Sequence, residues 1–276
     1  MKLLLTGDHL QKFCDIIGNF KYISESITFW FSDDGIHSQG MSSDHCSLYE
    51  LTVNNEWFDE FEWENGKDMD KVSVATSILS KVIQTRQPSQ YMVIEYDGKP
   101  DSITIKLASN TANSKNKEFP KEFSIPLIDI DVEKLNIPSD TEYSAEFGIG
   151  SKSLQVTNEQ LSMFDETITV HCEEEEIYLQ SKGIEGELKV TLFSSNCEHI
   201  TEFAIEDSLR LTLDFSIKHF NTFCRFIKVS ENVELSFKDG FPMKFEYIMD
   251  KEVSDKLELA FYLAPKIGDH DDDEDE

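Results

Sequence analysis

Cations are the scarce chemistry of this sequence, so their spacing carries information. There are 25 Lys and Arg against 54 Asp and Glu, a net charge of -29. Between residues 216 and 228, Lys218, Asn221, Arg225 and Lys228 recur at helical spacing, opposite Ile217, Phe220, Cys224 and Ile227. On a second expected helix, over 76–86, Lys81 sits among Ser77, Gln84 and Thr85, and Arg86 closes the segment. On a first helix, Lys12 and Asn19 share the polar face, and Lys21 lies just beyond. Lys and Arg set among Asn, Gln, Ser and Thr suit contacts to phosphate oxygens without base reading. For any one helix, an ordinary solvated face is the more usual reading of the same residues. A weaker helix over 152–164 offers Lys152 but also Glu159, so any phosphate contact should be loose, salt-sensitive and independent of sequence.

Chemistry of the bond-breaking kind finds little support. Seven His and many acids make some acid–base pair inevitable by chance, but the sequence has no phosphate loop, nucleophile elbow, HExxH or metal-spaced cluster. The run Glu173–Glu176 reads as a solvated turn, because four consecutive residues of an extended strand cannot all face one ion. The expectation is therefore no catalytic residues, no metal and no cofactor. The five cysteines (Cys14, Cys46, Cys172, Cys197 and Cys224) are odd in number, scattered and without a CxxC pair, which points to reduced, mostly buried thiols. No apolar run approaches the roughly 18 residues of a membrane span, and the N-terminal stretch is too short for a signal peptide; a soluble intracellular protein is expected.

The elements that would position these cations come in two similar sets. Ile27, Thr28, Ile36 and Gln39 match Ile168, Thr169, Ile177 and Gln180 at one offset of 141 residues. Downstream, Asp97-Gly98 and Pro100 match Asp239-Gly240 and Pro242 at an offset of 142. Two sets in the same order indicate a duplicated domain of about 130 residues. The first half reads as a helix on Leu10, Phe13, Cys14, Ile17 and Phe20. Strands follow at 25–32, 35–40 and 45–53, then the helix at 76–86, then strands at 91–96 and 102–107. The second half reads as the helix at 152–164, strands at 167–172, 176–181 and 187–193, the helix at 216–228, and strands at 232–237 and 243–248. The alternating apolar and acidic residues of Leu127–Pro138 suggest an extended connector held against the surface, and the acidic end at 269–276 suggests a disordered tail.

Specific segments then carry a resemblance. Gly35-Ile36-His37-Ser38-Gln39-Gly40-Met41-Ser42-Ser43-Asp44-His45-Cys46-Ser47-Leu48, Asp129–Pro138, Pro242–Tyr247 and Tyr262-Leu263-Ala264-Pro265-Lys266-Ile267 resemble segments of the proliferating cell nuclear antigen family of DNA sliding clamps, in order along the whole chain. The resemblance implies an α+β DNA clamp fold, with two similar domains of two helices each, packed on antiparallel sheets. It implies an N-terminal domain at 1–126, an interdomain connecting loop at 127–141, a C-terminal domain at 142–268 and the tail at 269–276. It further implies that three subunits close head to tail into a ring, through edge strands at about 122–127 and 187–193. Duplex DNA would be threaded, not read, past Lys12, Lys21, Lys81, Arg86, Lys218, Arg225 and Lys228. DNA polymerase, a clamp loader and other proteins would insert a short motif with a 3-10 turn into a groove walled by Met41, His45, Cys46, Leu135, Ile137, Pro242, Tyr262, Ala264 and Pro265. The implied setting is the nucleus or a viral replication compartment. A specialised subunit of a heterotrimeric ring, and an acidic non-clamp binder such as a histone chaperone or DNA mimic, are the alternatives.

Three departures from the family pattern stand out. The third helix carries fewer cations, no lysine stands in the Glu173–Glu176 turn where the family carries a modifiable one, and Ser109–Lys117 reads as a long polar loop.

Overall fold

The computed structural model describes residues 1–63, 71–98, 101–109, 119–137, 141–173, 176–193, 200–249 and 256–267. The acidic end, the centre of the Glu173–Glu176 turn, most of the Ser109–Lys117 segment, Pro138 and Cys197 lie outside the described residues. The chain forms two compact units. One holds Met1–His45, Tyr49–Asn136 and Met249–Leu259, and the other holds Cys46–Leu48, Ile137–Ile248 and Ala260–Glu276.

Along the first half of the chain the elements run β1 (Lys2–Leu5), α1 (Gly7–Asn19), β2 (Ser26–Ser32), β3 (Gly35–Met41), β4 (Ser47–Asn54), β5 (Glu60–Glu62), β6 (Lys71–Ala75), α2 (Thr76–Gln84), β7 (Gln90–Glu95), β8 (Ser102–Ser109) and β9 (Lys121–Pro126). One sheet has the order β5-β1-β7-β8-β9 and another run has β4-β3-β2-β6. The second half follows with β10 (Ala145–Gly150), α3 (Ser151–Leu161), β11 (Thr167–Glu173), β12 (Glu176–Gly183), β13 (Gly186–Phe193), β14 (Ile200–Ile205), β15 (Arg210–Ser216), α4 (Ile217–Phe223), β16 (Asn232–Phe237), β17 (Met243–Ile248) and β18 (Leu257–Leu263). Its strand orders are β14-β10-β16-β17-β18 and β13-β12-β11-β15, the same pattern again. All the pairings with a described register are antiparallel, for example β1 with β7 and β11 with β15. The α+β reading with two similar sets of elements stands.

The repeat extends to the residue register. Phe29 faces Ser38 and Trp30 faces His37 across β2 and β3; at an offset of 141, Val170 faces Leu179 and His171 faces Tyr178 across β11 and β12. Ser26 pairs with Ala75, and Thr167 with Ser216, at the same offset. The turns after β7 and β16 place Gly98 at φ +83° and Gly240 at φ +70°, a left-handed conformation that disfavours a side chain. That explains why the Asp-Gly pair occurs in both halves.

Each unit closes on its own aromatic core. In the first, Phe20 stacks on Tyr49 at 4.4 Å. Ser38 Oγ donates to Thr28 O at 2.8 Å, so the Tyr49 hydroxyl donates in turn to Ser38 Oγ at 3.3 Å. In the second, Phe261 stacks on Phe223 at 4.7 Å and lies 5.0 Å from Phe226, and the Tyr247 hydroxyl donates to Phe223 O at 2.8 Å. Stacked and edge-on pairs of this kind add to simple area burial.

One helix differs from the sequence reading. The helix expected to run to 228 stops at Phe223 and tightens into a 3-10 turn at Cys224–Phe226. Phe220 and Phe223 on the helix and Phe226 in the 3-10 turn all enter the core. Ile227, expected on the buried face, is only half-buried, and Phe226 takes that place.

Candidate functional site

The helices are where the acidity of the chain relents. Among the described residues, α1 to α4 carry Lys12, Lys81, Lys152 and Lys218 against Asp8, Asp15 and Glu159, a small positive excess. The turns that follow them add Lys21, Arg86 and Arg225, and, after α3, Asp165 and Glu166. The whole chain, by contrast, carries -29.

In the first unit, α1 buries Leu10, Phe13, Cys14, Ile16 and Ile17, and α2 buries Leu79, Ser80, Val82 and Ile83. Ser80 Oγ donates to Gly18 O at 3.1 Å and ties α2 to α1. Lys81 is left exposed and Lys12 half-exposed. Lys21 rests 5.0 Å above the ring of Tyr22. Arg86 is partly drawn in, since its guanidinium donates to the Gln11 side chain on α1. In the second unit, Lys218, Arg225 and Lys228 are each exposed. Asn221, the fourth member of the expected stripe, accepts a hydrogen bond from Asn158 Nδ2 at 2.8 Å and holds α4 to α3 instead.

The residues expected to wall a groove are not core residues. Met41, at the end of β3, is 37% exposed and Leu135 is 44% exposed; Ile137, Tyr262 and Pro265 are half-buried, and His45, Cys46, Pro242 and Ala264 are exposed. Met41, His45 and Leu135 belong to the first unit, the others to the second. His45 sits at φ +58°, in a turn closed by His45 N donating to Ser42 O at 2.9 Å. Beside it, Cys46 O accepts from Ala264 N at 2.9 Å, which fixes the chain just past β18. The closing segment therefore divides: Tyr262 and Leu263 end the strand, while Ala264–Ile267 continues without regular structure, held by Lys266 N donating to Asp214 O at 2.7 Å.

The connector at 127–137 has neither helix nor strand and is strapped to the first unit. Leu127 N donates to Asp101 O at 3.1 Å and Ile128 N to Ser73 O at 2.8 Å. Lys71 Nζ donates to Val132 O at 3.4 Å, and Lys134 Nζ lies 5.5 Å over the ring of Trp30. Gln39 and Lys134, which hold the connector, were not singled out as site residues by the sequence; only the recurrence of Gln39 at Gln180 hinted at the first.

The cysteines follow the expectation where described. Burial pushes the Cys172 and Cys224 thiols up to about 12. Burial also raises Cys14, to about 11, with the neighbouring Arg86 opposing the shift. Cys46 is exposed. No helix among the described residues is long and apolar enough to cross a membrane.

Comparison with known proteins agrees with this geometry. Residues 6–134 match the family model for the N-terminal domain of proliferating cell nuclear antigen, and residues 136–266 match that for its C-terminal domain. The proliferating cell nuclear antigen of Chaetomium thermophilum is 28% identical over 262 residues, covering 94% of this chain and 95% of that protein. Proliferating cell nuclear antigen 2 of Drosophila melanogaster is 25% identical over 256 residues, covering 93% and 94%. With both domain models matched in order and a doubled clamp-type architecture to match, the chain belongs to the proliferating cell nuclear antigen family of DNA sliding clamps.

Proposed function

We propose that this chain is the subunit of a homotrimeric ring that encircles duplex DNA and tethers polymerase and other replication and repair proteins to it, in the nucleus or a viral replication compartment. The observation that carries the reading is the charge distribution. A chain of net charge -29 keeps its four described helices free of that excess, and presents Lys81, Lys218, Arg225 and Lys228 to solvent. An acidic body repels phosphate, and cationic helix faces tolerate it, so DNA is held loosely where the helices meet it and excluded elsewhere. Tethering then works by effective concentration: a polymerase bound to the ring meets its template again without a bimolecular search. No bond is made or broken.

The proposed domains are 1–126 and 142–268, joined by the connecting loop at 127–141, with the acidic tail at 269–276. Two strands support the ring closure. β9 and β13 each stand at the end of their sheet order with one edge unpaired in the described chain, the arrangement that pairing between subunits would complete. The partner groove is assigned to Met41, His45, Cys46, Leu135, Ile137, Pro242, Tyr262, Ala264 and Pro265.

The deciding experiment has two arms. Solution mass of the purified chain should be about 95 kDa, three times 31.7 kDa. Loaded onto nicked circular DNA by a clamp loader, the ring should stay bound and slide off when the circle is linearised. A monomer mass would leave a subunit of a heterotrimeric ring as the reading, and equal retention on linear and circular DNA would defeat encirclement.

A further inference from the structure

Gln39 and Gln180 occupy the same register position in the two units, at the shared offset of 141 residues, yet they do different things. Gln180 Nε2 reaches Glu187 on the neighbouring strand at 3.3 Å, an exposed contact. Gln39 is 6% exposed and reaches across 96 residues of sequence to the connector. Its Oε1 accepts from Leu135 N at 3.0 Å, and its Nε2 donates to Leu135 O at 3.2 Å. One carboxamide thus takes both backbone polar groups of a single residue, as a neighbouring strand would.

The orientation of that carboxamide is set from below. Gln39 Nε2 also donates to Glu50 Oε1 at 3.0 Å, and Glu50 Oε1 accepts from His37 Nε2 at 3.0 Å. A carboxylate can only accept, so the NH2 end of Gln39 must face Glu50. That leaves Oε1 aimed at the Leu135 N–H, and the reversed amide is excluded by chemistry. The surrounding burial agrees: Thr28 and Trp30 on β2 are 4% and 7% exposed, whereas Thr169 and His171, their counterparts on β11, are half-exposed. The first unit covers this face with the connector, through Lys134 over Trp30.

We infer that Gln39 is the positioning residue of the connector: it fixes the backbone of Leu135, with Glu50 setting its orientation, so that the Leu135 side chain is presented outward as a ready-made wall for a partner. The partner half of this inference rests on the groove reading above; the positioning half does not. Leu135 is 44% exposed although both of its backbone polar groups are tied to a nearly buried side chain. Holding an apolar anchor point in place before the partner arrives removes part of the ordering cost of binding.

The test is amide hydrogen exchange of the full-length protein over residues 127–137, together with titration of a synthetic fluorescent peptide bearing apolar anchors on one 3-10 turn. Gln39→Ala should speed exchange at Leu135 on the order of tenfold. Gln39→Glu, which keeps the size and the acceptor but loses both donors beside Glu50, should do at least as much. Gln180→Ala, at the same register in the other unit, should leave the connector unchanged. Peptide affinity should fall in parallel in both Gln39 variants, with solution mass unaltered. Unchanged exchange in Gln39→Ala would overturn the positioning role itself. Faster exchange with unchanged peptide affinity would instead overturn the link to partner binding, and with it the place of Leu135 in the groove.

Discussion

Asn158 donates its side-chain amide to Asn221 Oδ1 at 2.8 Å, joining α3 to α4 in the middle of what the sequence presents as one polar stripe. Asn158 is 1% exposed and Asn221 half-buried, so this contact is partly withdrawn from solvent. The cations of the proposed phosphate contact that remain exposed are Lys218, Arg225 and Lys228, with Lys81 exposed on the other unit. Lys81→Glu combined with Arg225→Glu changes each subunit by four charges. Counterion release makes such contacts steeply salt-dependent. Loading onto circular DNA at physiological salt should fall about tenfold or more, with a shallower dependence on salt and an unchanged solution mass. Unchanged loading would mean that these cations only solvate their helices.

Tyr262 and Pro265 flank the point where Ala264 N is fastened to Cys46 O at 2.9 Å. Neither is buried, so truncating them removes surface rather than volume from the core. Tyr262→Ala with Pro265→Ala should weaken a clamp-binding peptide by about tenfold or more, as expected for truncating central apolar contacts, while the trimer mass and melting temperature hold. Fluorescence titration measures the first and light scattering the second. Full affinity in the double variant would place the groove elsewhere.

Much of the fold was legible because the repeat is written in residues that serve two constraints at once. Ile27 and Ile168 are both buried and both in a paired register, so neither drifts freely. Three of the strands missed have a common cause. β6 runs into α2 at Ala75 and Thr76, β15 into α4 at Ser216 and Ile217, and β10 into α3 at Gly150 and Ser151, with no turn residue between. The period of two passes straight into 3.6, and the strand is read as the approach to a helix. The early end of α4 was hidden for another reason: a 3-10 turn changes spacing, not composition, and Cys224-Arg225-Phe226 gives no stop signal. The connector's fastening depends on Gln39 and Leu135, 96 residues apart, and no local pattern encodes such a pair.

The edge strand β13 permits a test of assembly that does not depend on side chains. It pairs with β12 on one side, with Lys189 opposite Gln180 and Val190 opposite Leu179. Along an antiparallel edge strand, successive N–H groups point alternately toward the partner strand and away from it. Of Lys189→Pro and Val190→Pro, one removes an N–H from the β12 ladder and lowers the melting temperature. The other removes an N–H from the open edge, where proline is tolerated within the subunit. That second variant should keep its circular dichroism and fall from trimer to monomer mass. Both variants remaining trimeric would show that this edge does not join subunits.

The buried thiols predict where the fold fails in alkali. Burial raises Cys172 and Cys224 to about 12 and Cys14 to about 11, above the ordinary value of 9.0 for a cysteine. Burial likewise raises Tyr49 to about 12 from 10.0, against the opposing hydrogen bond to Ser38. Each group is an acid whose folded state holds its proton more tightly than the unfolded chain does. Between the two values the folded state binds more protons, so stability falls as pH rises. The contribution is complete below about 9 and is lost progressively toward 12. Melting temperature should therefore be flat with respect to these groups at neutral pH and decline above pH 9. Cys172→Ala removes one of the titrating groups and should flatten that decline, even though the cavity it leaves lowers stability at every pH. A decline of the same steepness in wild type and variant, followed by thermal scans from pH 8 to 11, would remove Cys172 as a source of the alkaline loss.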